Sequence, residues 1–153
     1  MSLGEKLRMR IQNMIKVRKG FTIDSGAADH VMPIGWLAWI LVVASLGQLK
    51  GLHYVSASGT RMPNKGQQVI KFLTHGGTWA SWTFQLAAIN KPLVSVSKLI
   101  DDGWRVVFDD EASYLIHKKT KRTIQLQRER GVFTIDAFVD PADSADAPFS
   151  RQE

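Results

Sequence analysis

The sequence predicts a mainly β domain with one or two short helices, and three observations carry that expectation. Short runs rich in β-branched and aromatic residues recur along the chain, bounded by Gly, Pro, Asn and Asp. The stretch "TWASWTFQL" alternates so that Trp82, Phe84 and Leu86 share one face. The long segment "WRVVFDDEASYLIHKKTKRTIQLQRERGVFTIDAFV" is punctuated by turn residues at Asp109-Asp110, Lys119 to Arg122 and Glu129 to Gly131, the composition of a β-meander.

Taken in order, residues 5–15 set Leu7, Ile11, Met14 and Ile15 at helix-like spacing among basic residues, a short amphipathic helix or a basic leader over residues 1–16. From Val17 to Ile23 the composition is strand-like. Asp24 follows directly, and Ser25-Gly26-Ala27-Ala28 then ends the strand with small side chains that let backbone or ligand come close, so Asp24 belongs at a strand's mouth. The run Trp36 to Leu46, "WLAWILVVASL", is far shorter than the ~20 residues needed to cross a bilayer and reads as a buried helix or strand pair. Two β-prone arms, His53 to Ser56 and Gln68 to Leu73, flank a middle rich in Ser, Gly, Pro and Asn, as in a hairpin. "VSVSKLIDDG" reads as a short helix closed by Gly103. The main domain is expected over residues 17–139. Residues 140–153, small, acidic and proline-bearing, are expected to be a disordered tail.

With 153 residues and 44% hydrophobic content, the chain suffices for one domain with a single core. The absence of cysteine excludes disulfides, thiolate metal sites and cysteine nucleophiles, and four scattered histidines lack metal-ligand spacing, so no metal or cofactor is expected. "MSLGEKLRMRIQNMI" has no signal-peptide pattern; an intracellular, cytoplasmic setting without a membrane partner is the expectation. The net charge of +6 falls in two clusters, one of Lys6, Arg8, Arg10, Lys16, Arg18 and Lys19, the other of Lys118, Lys119, Lys121, Arg122, Arg128 and Arg130. Each reads as a solvated basic face, with nucleic acid phosphates as the weaker alternative. Trp79 and Trp82 are expected in the core.

The segment "FTIDSGAADHV" resembles the active-site segment of retropepsin-like aspartic proteases, apolar-apolar-Asp-Thr/Ser-Gly-Ala. More narrowly, "DSGAADHV", "ASGTRMP", "LVSVSKLIDDGWRVVFDD" and "RGVFTIDAF" are similar, in that order, to the protease region of copia-type retrotransposon polyproteins. The resemblance implies a retropepsin-like acid-protease barrel acting as a homodimer on a polypeptide substrate, in retroelement polyprotein processing. Asp24 would be the catalytic aspartate, Ser25 the hydroxyl bonding across the dimer beneath the dyad, and Gly26 the point of close substrate approach. Ala57, Ser58, Gly59 and Thr60 would form the tip of a flap spanning Val55 to Val69, and Ala27 and Asp29 would contact substrate. Ser95 stands where retropepsins typically carry a glycine, a departure shared by copia-type sequences.

Peptide hydrolysis without metal or covalent nucleophile needs one group to take a proton from water and another to give one to the carbonyl oxygen; two carboxylates sharing a proton do both. One chain offers one such motif, since Asp29 lies on the same turn and Asp136 precedes Ala137 rather than Ser-Gly, so a second copy is required. Two other readings stand beside this one: an inactive, dimerising remnant of a retrotransposon protease, and a basic nucleic-acid-binding domain, against which stands charge that lies at the chain's start and one late turn rather than along one element.

Overall fold

The structure, a computed structural model, describes residues 1–142. The chain forms α1 (Leu3–Gln12), β1 (Ile15–Lys16), β2 (Phe21–Asp24), β3 (Val31–Pro33), α2 (Leu46–Leu49), β4 (His53–Val55), β5 (Arg61–Pro63), β6 (Gln67–Thr74) and β7 (Trp79–Ala87). It continues through β8 (Leu93–Ser95), α3 (Val96–Asp101), β9 (Trp104–Val107), β10 (Tyr114–His117), β11 (Thr123–Gln125), β12 (Gln127–Glu129), β13 (Val132–Ile135) and β14 (Ala137–Val139). The fold is mainly β, as the composition predicts, with three short helices rather than the one or two expected. Nine strands in the order β1-β14-β6-β7-β3-β8-β2-β13-β12 make one sheet curled into a half-barrel; β11-β10-β9 form a second sheet, and β4-β5 pair only with each other.

Periodicity decides which residues the curled sheet encloses. Ala80, Trp82, Phe84 and Leu86 of β7 alternate inward, opposite Gln68, Ile70 and Phe72 of β6. Phe21 meets Phe72 edge-on at 5.0 Å and Phe84 at 4.9 Å, and Trp82 reaches Trp104 of the second sheet at 6.0 Å, so one aromatic chain joins the two sheets. Each such ring, fully withdrawn from water, contributes about 2–3 kcal/mol. The helix expected at "VSVSKLIDDG" is α3, with Gly103 following it at φ +93°.

Four expectations are corrected. Strand geometry does not run unbroken from Val17 to Ile23: Lys19 and Gly20 take φ of 65° and 62°, turning the chain before β2 starts at Phe21. Alanine at Gly20 would also set its Cβ 2.7 Å from the Ile135 carbonyl oxygen. The Trp36 to Leu46 run is neither a buried helix nor a strand pair. It is a series of turns as far as Ile40, followed by an extended stretch that makes one bridge, Val43 to Gln67, before α2. Only Leu37 and Ile40 are buried hydrophobics, their carbonyls capped by the Gln68 side-chain amide at 2.9 and 3.0 Å, while Leu41, Val42, Val43 and Leu46 stay exposed. The arms His53 to Ser56 and Gln68 to Leu73 do not pair: β4 pairs with β5, and β6 pairs with β7, so the hairpin spans residues 53–63 rather than Val55 to Val69. The meander holds for β9-β10-β11, after which the chain crosses to the large sheet. Of the tail expected over residues 140–153, all beyond residue 142 lies outside the described residues.

The hairpin's base is fixed by Asn64, which is buried. Its side-chain oxygen accepts from Ser45 Oγ at 2.8 Å and Gly66 N at 2.9 Å, and its amide nitrogen donates to Gln85 Oε1 at 2.8 Å and Tyr54 Oη at 3.3 Å. Asn64→Ala strands several buried polar groups and is expected to lower unfolding free energy by about 2–4 kcal/mol in urea titration, whereas Val55→Ser on the exposed hairpin surface is expected to change it by less than about 0.5 kcal/mol.

Candidate active site

Asp24 ends β2, where the strand runs parallel to β8 in the register Thr22↔Leu93, Ile23↔Val94 and Asp24↔Ser95. Parallel pairing brings the carboxyl ends of both strands, and the loops leaving them, to the same edge. The half-buried Asp24 accepts at Oδ1 from the Gly26 amide at 2.8 Å. A Cβ on Gly26 would stand 3.3 Å from that oxygen, so glycine keeps the turn tight without crowding the carboxylate.

Ser95 holds the loop. Its hydroxyl donates to the Ala27 carbonyl at 2.7 Å and accepts from the Lys98 amide at 3.1 Å, capping α3, while its own amide donates to His30 Nδ1 at 3.0 Å. A glycine there would keep the amide contact and lose both hydroxyl contacts. His30 is buried, stacked on Trp82 at 5.3 Å and beside Phe84 at 5.5 Å. Accepting at Nδ1 assigns its proton to Nε2, which has no acceptor among the described residues. Burial, and secondarily the Lys98 charge, lower its pKa from 6.5 to about 4.

A cavity of about 770 Å³ opens beside Asp24. Asp24, Gly26, Ala27, Ala28 and Val31 form one wall, His53 to Ala57 with Met62 the hairpin side, and Ala88 to Lys91 with Leu93 the floor. Asp24 is the one acidic residue in that lining. Of the site residues expected from sequence, Asp24, Gly26, Ala27 and Ala57 meet around the cavity. Ser25 is exposed at its rim. Ser58, Gly59 and Thr60 build the hairpin turn instead: Gly59 adopts φ +86° and donates to the Ser56 carbonyl at 2.9 Å, Thr60 N donates to Ser56 Oγ at 3.1 Å, and Ser58 Oγ lies 2.9 Å from Ser56 Oγ. Asp29 stands behind the wall, accepting at Oδ2 from Tyr54 Oη at 3.1 Å and so clasping the hairpin to the Asp24 loop. Burial first, then the Asp29 charge, raise the Tyr54 pKa, which keeps the phenol a donor.

Sequence reading missed Tyr54, Met62 and the Ala88 to Lys91 loop. The Asn90-Lys91-Pro92 turn signal was visible, but its position beside Asp24 follows from the parallel β2–β8 pairing, which no local pattern encodes. Neither other candidate carboxylate reaches Asp24: Asp29 is bound to Tyr54, and Asp136, 3.9 Å from Lys16 Nζ, follows Ile135, which pairs with Phe21 at the far end of β2. Among the described residues no group of three or more His, Cys, Asp or Glu could hold a metal, and no helix is long and apolar enough to cross a membrane. No family model, curated protein or solved structure matches the chain.

The His30 shift gives stability a defined pH dependence. The unfolded imidazole takes a proton below about pH 6.5 and the folded one only below about pH 4, so this stabilisation is complete above 6.5 and declines as pH falls between those values. The decline should amount to about 3 kcal/mol. Unfolding free energies measured from pH 7 to 4 should therefore fall more steeply for the wild type than for His30→Gln; parallel curves would rule the mechanism out.

Proposed function

We propose that the chain is an aspartic endopeptidase of the retropepsin-like, copia-type kind, acting as a homodimer in retroelement polyprotein processing. The observation that carries this reading is Asp24: a single carboxylate, held by a tight Ser-Gly turn at a strand end, on the wall of a largely apolar cavity faced by a hairpin. The motif Asp24-Ser25-Gly26-Ala27 agrees with it, as does the exposure of Ser25 and Gly26, which leaves the turn open to another chain.

In this reading two copies meet about a two-fold axis, so that each Asp24 faces its counterpart. Like charges that close cannot both be ionised, and the pair holds one proton. The ionised carboxylate takes a proton from water as the water oxygen attacks the scissile carbonyl carbon, and the protonated carboxyl gives its proton to the carbonyl oxygen. Ser25 bonds across the axis beneath the pair. Gly26 lets the extended peptide backbone approach, and apolar side chains of the substrate enter between Val31, Leu93, Ile89 and the hairpin residues Val55 and Met62.

Asp24→Asn is expected to abolish cleavage of a broad peptide library between acidic and neutral pH while leaving circular dichroism and sedimentation unchanged. Specific activity of the wild type should rise with protein concentration and level off when dimer predominates, and excess Asp24→Asn should depress activity below simple dilution, because mixed dimers hold only one ionisable carboxyl of the pair. Equal activity of the two proteins, or specific activity independent of concentration where only monomer sediments, overturns the reading. A folded wild-type dimer that cleaves nothing favours the inactive remnant.

A further inference from the structure

Arg10 of the first basic cluster and Arg122 of the second, more than a hundred residues apart in sequence, are brought together by the fold at Trp79, whereas Arg18 lies over Trp36 and Arg128 over Phe133. Leu7 of α1 reaches the β6–β7 turn, its Cδ2 3.3 Å from where a Gly77 Cβ would lie, and one turn further along the same helix face Arg10 lies over the Trp79 ring at 4.7 Å. Lys71 reaches that ring at 5.1 Å. From the other side comes the β10–β11 turn: Arg122 Nη2 donates to the Trp79 carbonyl at 2.6 Å, and Thr78 Oγ1 donates to the Thr123 carbonyl at 2.8 Å. These contacts tie the turn that carries Lys118, Lys119 and Lys121, all exposed, to the start of β7, where Trp79 is half-buried rather than a core residue.

Three features mark this as a built face. Arg10 and Arg122 form no ion pair among the described residues, and Arg122 Nη1 is buried without a hydrogen-bond acceptor. Asp102 meets the turn through its backbone carbonyl, 3.1 Å from His117 Nε2. Lys121 occupies φ +64°, a conformation that glycine adopts at no steric cost and that a lysine adopts at about 1 kcal/mol, so the sequence sets a cation where the backbone favours none.

We propose that α1 and the β10–β11 turn form one polyanion-binding face centred on Trp79, taking the phosphodiester backbone of a nucleic acid without regard to its sequence. Spaced cations around an indole suit a chain of phosphates. The two turns, residues 75–78 and 117–122, carry no apolar side chain, while α1 exposes Leu3 and Met9, so the vesicle arm of the test below separates a lipid surface from a nucleic acid. The face lies at the opposite end of β7 from the cavity, whose lining includes Ala88; at about 3.3 Å per residue the separation is about 26 Å, so a bound strand leaves the Asp24 cleft open.

The test is fluorescence anisotropy with two labelled 20-nucleotide single-stranded RNAs of unrelated sequence, across a salt series. The wild type should bind both alike, with affinity falling linearly on a log–log salt plot. A Lys118→Ser/Lys119→Ser/Lys121→Gly variant should bind more weakly and with a salt slope reduced by about 2, at about 0.7 per lost phosphate contact. Its melting temperature should hold, since Lys121→Gly relieves rather than creates backbone strain. A control of equal charge, Lys50→Ser/Lys65→Ser/Arg128→Ser, should keep the wild-type slope. Equal loss in both variants, or binding to phosphatidylserine vesicles with none to RNA, overturns the proposal.

Discussion

The parallel alignment of β2 with β8, locked by Ser95, is the constraint on which the cleft depends. One residue joins three elements: its amide fixes the imidazole of His30, its hydroxyl holds the carbonyl of Ala27, and the same hydroxyl starts α3. Small residues make the Asp24 loop compact, but beyond its own Gly26 N to Asp24 Oδ1 bond they offer few side-chain groups to fix its shape. That shape is supplied from the neighbouring strand, and the aromatic core beneath supplies the rigidity, since His30 is pressed against Trp82 and Phe84. A neutral imidazole tolerates that burial; a charged one does not.

Much of this was legible in the sequence where local rules decide. The strand-mouth position of Asp24, the inward alternation of Trp82, Phe84 and Leu86, and α3 with its terminal glycine follow from periodicity and turn chemistry, while α1 is one of two readings of the basic start of the chain. What was not legible depends on partners distant in the chain. Gln68 to Leu73 has the composition of a hairpin arm in either direction, and only the packing of Phe72 against Phe21 and Trp82 decides that it pairs forward with β7. The apolar Trp36 to Leu46 run misleads because hydrophobic content was taken for burial. One buried glutamine caps the carbonyls of Leu37 and Ile40, and beyond them the run makes only a single bridge, Val43 to Gln67, before α2 begins at Leu46, which is 67% exposed. Within the candidate site, the motif residues could be named but the opposing wall could not, because that wall is a product of topology.

The two ends of β7 have opposite character. One end adjoins the cavity, walled by small and apolar residues with a lone carboxylate; the other gathers cations around an indole. The length of β7 separates them, and the interior between is filled largely by close-packed rings and aliphatic side chains. Charge at one pole is therefore well beyond a Debye length of about 8–10 Å from the other and exerts little direct field on it.

The hairpin of β4 and β5 belongs to neither sheet. A two-stranded ribbon is marginal in water by itself, so its order is borrowed from two anchors, Asn64 at its base and the Tyr54–Asp29 hydrogen bond along its length. Protection of its amides against solvent exchange is then set by those anchors and not by the global unfolding of the half-barrel, which makes the roof of the cleft a separate cooperative unit with its own clock.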